Sequence, residues 1–197
     1  MEYSSIILNL FLVIFLVLLN GFFVAAEFAI VKVRSSRIDA LVQEGTARAK
    51  FAANLVHNLD SYLSVSQLGI TLASLGLGWI GEPAVAKFIY PVLSSFELSN
   101  EMVHTISFAI AFSFITALHI VLGELAPKSL AIQKAEAVTL WVAIPMIACY
   151  KLMYPFVWVL NHIAAGILNL FGIKLANDVV SFTFNDLSFT NFPSFIS

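Results

Sequence analysis

MVHTISFAIAFSFITALHIVLGELAPK, residues 102–128, is the stretch of the chain that decides the fold. Its first part, residues 102–123, contains no Asp, Glu, Lys or Arg, and His104 and His119 are its only ionisable side chains. A helix crosses ~30 Å of hydrocarbon with about 20 mainly apolar residues. This segment is therefore long and apolar enough to span a membrane.

The end of this segment carries an unusual group of residues, Gly123-Glu124-Leu125-Ala126-Pro127-Lys128. Pro127 has no N–H, which in an α-helix would bond the Gly123 carbonyl. We therefore expect that carbonyl to be free, beside the Glu124 carboxylate and on the same side as Thr116, two turns earlier. The alternative is a plain helix end at which Glu124 and Lys128 form an i,i+4 ion pair.

Two more segments have the length and composition of spans. Residues 6–31 contain Glu27 as their only charge, and residues 61–81 contain none. The N-terminus lacks the basic region and the cleavage site of a secretory signal, so we interpret the first segment as a retained span. The polar residues 32–60 between these two spans are rich in Lys and Arg, which is typical of a cytoplasmic loop and places the N-terminus outside.

A fourth apolar region, residues 137–173, is harder to interpret. Lys151 interrupts it, and Pro145 and Pro155 flank that lysine. Because proline kinks or ends helices, a kinked span, a re-entrant hairpin and interfacial helices all remain open. We expect an all-α, polytopic protein in the lipid bilayer, with three transmembrane helices plus juxtamembrane or re-entrant helices. One amphipathic helix is expected within residues 32–60, along the membrane surface.

The composition of the whole chain supports this fold and excludes other classes. Hydrophobic residues make up 60% of the 197 residues and charged residues 11%, against about 45–50% and ~25% in soluble domains. The net charge of −2 argues against a nucleic-acid partner. The single cysteine excludes an intrachain disulfide. No nucleophile–base pair or phosphate loop is recognisable, so we do not expect an enzyme.

Polar residues inside the expected spans indicate where function resides, because ionisable groups there are costly. Asn20 and Glu27 are seven residues apart and share one face of the first span. The alternative for Glu27 is an ion pair with Lys32 or Arg34. A polar stripe at helical spacing runs along the second span; its members are Ser64, Gln67, Thr71 and Ser74. These side chains could bind an ion or form hydrogen bonds between helices. His104 and His119 are too far apart on one helix to share an ion, so we expect structural roles for both.

These features resemble the transmembrane domain of the cyclin M/CorC family, whose bacterial members are often called hemolysin-C-like. The resemblance rests on residues 20–27, on the polar face of the second span and on Gly123-Glu124-x-x-Pro127-Lys128. Residues 23–38, FVAAEFAIVKVRSSRI, are typical of the bacterial branch. We expect a domain of this type over residues 1–176 and an irregular tail over residues 177–197.

The resemblance implies a homodimer that exports Mg²⁺ in exchange for Na⁺. It implies an ion site made by the Glu124 carboxylate and the Gly123 carbonyl. It matches Glu27 to an acidic residue of the first span, and Ser66 and Gln67 to asparagines of other branches. With the polar faces described above, the candidate cation ligands are Asn20, Glu27, Ser66, Gln67, Thr71, Gly123 and Glu124, and Pro127 and Lys128 have structural roles.

The chain departs from the family pattern in two ways that keep alternatives open. Val24 and Ala26 stand where better-studied branches carry serines. Some hemolysin-like relatives are linked to polyamine export, so a polyamine exporter of the same fold is one alternative. Family members usually continue into nucleotide-sensing CBS modules; we expect these to be absent and hypothesise a truncated gene. A truncated, non-transporting membrane partner is the remaining alternative.

Overall fold

The computed structural model describes residues 2–96 and 98–171, and every regular element in these ranges is helical. The all-α prediction is therefore confirmed. The expected domain boundary at residue 176 and the irregular tail over 177–197 lie outside the described residues. The helices in chain order are α1 (Glu2–Lys32), α2 (Ser35–Gln43), α3 (Ala49–His57), α4 (Leu59–Leu93), α5 (Asn100–Leu118), a π-helix (His119–Leu125), α6 (Ala126–Gln133) and α7 (Ala135–Leu170).

Four stretches of the described chain are long and apolar enough to cross a membrane, which makes this a multi-pass membrane protein. They are Ile7–Lys32, Leu59–Leu93, Asn100–Gln133 and Ala135–Leu168. The fourth overlaps the region that the sequence leaves open. Pro145 and Pro155 both lie inside α7, which is one helix and not a re-entrant hairpin. Spanning helices tolerate proline because neighbouring groups and local adjustments satisfy the freed carbonyls.

The first helix, α1, occupies the centre of the fold and packs against α4, the π-helix, α6 and α7. It runs antiparallel to α4, since Leu16 meets Gly76 and Phe23 meets Gly69. A Cβ at Gly69 would lie 2.5 Å from the Phe23 ring, so glycine is required for this close approach. A smaller apolar cluster joins α1 to α4 and α5; its buried members are Val13, Val17, Leu77, Ala84 and Ile115.

The basic loop of residues 32–60 folds into two short helices rather than one. Gly45 separates them with a left-handed φ of 80°, and the Thr46 N–H bonds the Leu41 carbonyl, as expected at a glycine helix end. The apolar faces of α2 and α3 pack into the protein core with α1 and α7, and are not left free to lie on lipid. Their buried residues are Ile38, Leu41, Ala49, Ala52 and Leu55.

Candidate cation site

The π-helix forms because the sequence removes an α-helical hydrogen bond at this point. Pro127 has no N–H to offer the Gly123 carbonyl. The Ala126 N–H bonds the carbonyl of Val121, five residues back, which is the π-helical pattern. The Gly123 carbonyl instead accepts a hydrogen bond from Asn20 Nδ2, at 3.0 Å. Such π-turns are frequent at functional sites, since they make backbone oxygens accessible to groups outside the helix.

Four side chains from α1, α4 and the π-helix meet at this irregularity and form a polar cluster. Ser74 Oγ lies 3.2 Å from Asn20 Oδ1 and 3.2 Å from His119 Nε2. His119 Nε2 lies 3.6 Å from Glu124 Oε1, which is longer than a hydrogen bond. Asn20 is fully buried, whereas the Glu124 side chain is 47% exposed. The cluster therefore extends from the protein interior to an accessible carboxylate.

One arrangement of hydrogens satisfies the inner members of this cluster. The Asn20 amide donates to Gly123, and its oxygen accepts from the Ser74 hydroxyl. Because the single Ser74 hydrogen is then used, His119 Nε2 carries a hydrogen and donates to Ser74 Oγ. That hydrogen assignment follows from the network. In this arrangement the imidazole N–H also lies near the Glu124 carboxylate.

Two glycines allow the helices to approach closely enough for these contacts. A Cβ at Gly21 would lie 2.9 Å from Pro127 Cγ and 3.3 Å from the Leu122 carbonyl oxygen. A Cβ at Gly123 would lie 2.9 Å from His119 Cδ2. Larger residues at either position would separate α1 from the π-helix or displace the imidazole.

The remaining candidate ligands of α1 and α4 lie apart from the polar cluster, toward the other end of both helices. The antiparallel register that pairs Asn20 with Ser74 brings Glu27 level with Ser66, about 10–12 Å away along the helix axes. Glu27 is partly buried and forms no ion pair with the described residues, so the alternative pairing with Lys32 or Arg34 is not formed. The Ser66 hydroxyl is fully buried and has no hydrogen-bond partner among the described residues.

The structure thus brings some of the sequence candidates together and leaves others apart. Asn20, Gly123 and Glu124 belong to one cluster, and Gln67 and Thr71 lie on an exposed face of α4, where the Thr71 hydroxyl bonds the Gln67 carbonyl at 2.8 Å. These ligand assignments stay predictions.

The two residues expected to have structural roles both contact α1. Pro127 lies against Gly21. The Lys128 ammonium lies 4.4 Å from the centroid of the Phe28 ring. Lys128 does not pair with Glu124, so the plain helix end with an i,i+4 ion pair is not what forms here.

Two members of the cluster were missed by the sequence candidates. Ser74 stood in the polar stripe of the second span, which was the signal for it. His119 had no such signal, since five residues separate it from Glu124 and an α-helix would place them on different faces. Only the π-turn, which joins residues at i and i+5, brings them together.

Oxygen atoms dominate what this cluster offers a ligand. It contains the Glu124 carboxylate, the Asn20 and Gly123 carbonyl oxygens and the Ser74 hydroxyl, with one imidazole beside them. Within residues 2–96 and 98–171, no three acidic, His or Cys side chains group closely enough to hold a metal ion. A cation bound here would therefore combine one carboxylate with neutral oxygens and water.

Comparison with known proteins agrees with the resemblance seen in the motifs. Residues 11–188 match the family described as "Cyclin M transmembrane N-terminal domain". UPF0053 protein YhdT of Bacillus subtilis (strain 168) is 50% identical over 170 residues, covering 86% of this chain and 37% of that protein. UPF0053 protein YugS of the same organism is 48% identical over 167 residues, covering 85% and 39%.

A more distant relative comes from a different organism. UPF0053 protein sll0260 of Synechocystis sp. (strain ATCC 27184 / PCC 6803 / Kazusa) is 36% identical over 170 residues, covering 86% of this chain and 38% of that protein. The chain thus spans less than half the length of these curated relatives. The match over residues 11–188, with the Gly123-Glu124-x-x-Pro127-Lys128 segment inside it, shows that the chain belongs to the cyclin M/CorC family of membrane proteins.

Proposed function

We propose that this chain is the membrane domain of a secondary transporter that exports Mg²⁺ or a similar divalent cation, coupled to Na⁺ entry. The observation that carries the proposal is the polar cluster, in which Asn20 bonds the Gly123 carbonyl and Ser74 and His119 connect it to Glu124. Transporters bind their substrates at interrupted helices, where backbone oxygens and ionisable groups face a cavity instead of lipid. Membership in the cyclin M family supports a divalent cation as the substrate.

The donor set suits a hard cation. Mg²⁺ prefers oxygen ligands in octahedral geometry and keeps several of its waters. The Glu124 side chain is 47% exposed in the single chain, which leaves room for a hydrated ion beside its carboxylate. Asn20 Oδ1 and Ser74 Oγ, which now bond each other, would turn to the ion or to its waters. Exchange of these internal hydrogen bonds for ion contacts would let binding and release proceed without a large change in fold.

A second group of oxygens supports a route to this cluster from the expected cytoplasmic side. Glu27 and Ser66 lie level with each other, about 10–12 Å nearer that side, and neither side chain has a partner among the described residues. An unpaired carboxylate and an unsatisfied buried hydroxyl are both costly in apolar surroundings unless a ligand uses them. We assign Glu27 and Ser66 to the entry step of export.

Polyamine export is the second candidate, and the separation of two carboxylates favours it. Glu27 and Glu124 lie at two different depths of the protein, so a flexible diamine could place one ammonium group at each. A single Mg²⁺ ion cannot contact both carboxylates at once, so we expect it to compete with such a substrate only weakly.

The proposal includes a homodimer. Gln67 and Thr71 are exposed on the surface of a single chain, on a helix that is long and apolar enough to span a membrane. Polar groups that face hydrocarbon are unfavourable, and a second copy would cover them. A Thr71→Cys variant in a Cys149→Ser background should form a disulfide-linked dimer in membranes, and Leu152→Cys on the exposed face of α7 serves as the control.

Cation efflux from proteoliposomes tests the transport function. Wild type and Glu124→Gln are compared with and without a Na⁺ gradient, beside Glu101→Gln, an exposed carboxylate in the first turn of α5. Gradient-dependent Mg²⁺ efflux that is lost only in Glu124→Gln supports the transporter. Putrescine flux that Mg²⁺ does not inhibit would favour the polyamine exporter. If folded protein transports neither substrate, the remaining alternative is a non-transporting membrane partner.

A further inference from the structure

A cleft between α4 and α5 begins at the polar cluster and leads away from Glu27. Its volume is about 280 Å³, and Ser74 and His119 of the cluster form one end. Glu82 of α4 and Thr116 of α5 are the other polar side chains that line it. Since a water molecule occupies about 30 Å³ in the liquid, the cleft has room for an ion with a full shell of waters.

The α4 wall of the cleft carries a stripe of polar or small residues beside the apolar Leu77. Ser74, Gly78 and Glu82 follow one another at intervals of four residues, so they lie on one side of the helix. A Cβ at Gly78 would meet nothing within 4 Å, which shows that the middle of the cleft is open. Glu82 stands about 12 Å from Ser74 along the helix axis, on the side opposite to Ser66.

Among the described residues, Glu82 has no ion-pair partner that would explain a carboxylate in this position. It is partly buried inside α4, a helix long and apolar enough to span a membrane, and it forms no ion pair with the described residues. Lys87 lies five residues further along α4, on a different face. Glu82 directly follows the apolar residues 61–81, and a carboxylate at the end of a spanning segment usually faces a partner or water. Here it faces the cleft.

We propose that the α4–α5 cleft is a water-filled arm of the transport path and that Glu82 is a second binding site for a hydrated divalent cation. This inference rests on the proposed transport function and adds a station beyond the polar cluster. Ions would pass from the level of Glu27, through the cluster at Ser74, to Glu82. Contact at Glu82 is through water, because a single carboxylate cannot replace the ion's hydration shell.

Cysteine accessibility tests the cleft without relying on transport. In the Cys149→Ser background, Gly78→Cys should react with a membrane-impermeant maleimide, because a thiolate forms only where water reaches the thiol. Leu72→Cys is the matched control, since Leu72 lies six residues away on another side of α4 and is 53% exposed. Thr116→Cys on the opposite wall gives a second reporter if Gly78→Cys does not fold.

Protection by the ion then tests Glu82. Mg²⁺ should slow the labelling of Gly78→Cys several-fold, and adding Glu82→Gln should abolish that protection, whereas adding Glu101→Gln should not. Absence of labelling at both reporters, or protection that persists in Glu82→Gln, overturns the inference. The proposed transport function is tested separately, by the efflux of Glu124→Gln. If that variant loses efflux but Mg²⁺ does not protect Gly78→Cys, the transport function stands and only the inference about the cleft is contradicted.

Discussion

The side chain of Asn20 and the backbone of Gly123 are joined by a 3.0 Å hydrogen bond across 103 residues of sequence. The bond is buried, and it connects the central helix to the one turn of the third span that is not α-helical. Asn20 also accepts from Ser74, so a single amide links α1, α4 and the π-helix. Its carbonyl and amino groups are both used, which leaves little freedom for a substitute.

Replacement of Asn20 by Ala should lower stability and efflux together. The variant leaves the Gly123 carbonyl without its side-chain donor and the Ser74 hydroxyl hydrogen without its acceptor, although Ser74 keeps its contact with His119. An unsatisfied buried group costs about 1–3 kcal/mol. The measurement is the thermal unfolding midpoint in detergent, beside Ser94→Ala, which removes only an exposed hydroxyl bonded to the Pro91 carbonyl. Equal midpoints for the two variants would show that the Asn20 bond does not hold α1 in place.

Substitution of Gly21 by Ala should separate α1 from the segment around Pro127. The added methyl would lie 2.9 Å from Pro127 Cγ and 3.3 Å from a backbone oxygen, and overpacking of this kind costs about 1–3 kcal/mol. Gly166→Ala is the control, since a Cβ there meets nothing within 4 Å and alanine favours a helix by up to about 1 kcal/mol. We expect a lower unfolding midpoint for Gly21→Ala and an unchanged or higher one for Gly166→Ala. The opposite order would mean that the close approach is not needed.

These contacts show which parts of the fold could be predicted from sequence. Apolar length predicts the spanning helices, because hydrocarbon thickness fixes the number of residues required. Pro127 after Gly123 predicts a disturbed helix, because a missing N–H is a local property. The partner of the Gly123 carbonyl could not be predicted, since it depends on how α1 packs against a segment a hundred residues away.

The structure of residues 137–170 could not be predicted from local rules either. Two prolines and a lysine in an apolar run are compatible with a hairpin, and the packing of α7 against α1 and α3 decides for a continuous helix. Similarly, the apolar faces of α2 and α3 fit a membrane surface as well as a protein core. Contact with α7, which no local pattern reveals, decides for the core.

His119 should act as a positioning residue for Glu124. Its Nε2 lies 3.2 Å from Ser74 Oγ and 3.6 Å from Glu124 Oε1, so His119→Ala leaves the carboxylate without its neighbour. We expect KM for the exported cation to rise several-fold with a smaller change in the maximal rate. His119→Gln, which can place an amide N–H near the position of Nε2, should recover much of the lost affinity.

The control for this prediction is His162→Ala, because His162 is exposed on α7 and, among the described residues, its ring contacts Trp158 and not the polar cluster. Cation efflux against cation concentration is measured for all three variants. If Gln restores nothing, or if His162→Ala has the same effect on KM, His119 has no specific role at Glu124.

The last prediction concerns Arg37, which ties α2 to the start of α7. Its guanidinium contacts both Glu136 carboxylate oxygens, at 3.0 and 3.3 Å, in an exposed pair. The hydrogen bond to Glu136 and the charge of that residue raise the pKa of Arg37. A group whose pKa is higher in the folded than in the unfolded protein stabilises the fold fully at pH below its unfolded pKa. That stability is lost only as the pH rises through the folded pKa, so the pair should be insensitive to pH between neutral and moderately alkaline conditions.

A double-mutant cycle of Arg37→Ala and Glu136→Ala should show coupling at low salt that fades in ~1 M NaCl, because dissolved salt screens exposed charges over about 3 Å at that ionic strength. Arg34→Ala, which removes a nearby charge without an ion pair among the described residues, should show no coupling to Glu136→Ala. Coupling that survives high salt would mean that α2 is held to α7 by packing of the Arg37 stem and not by its charge.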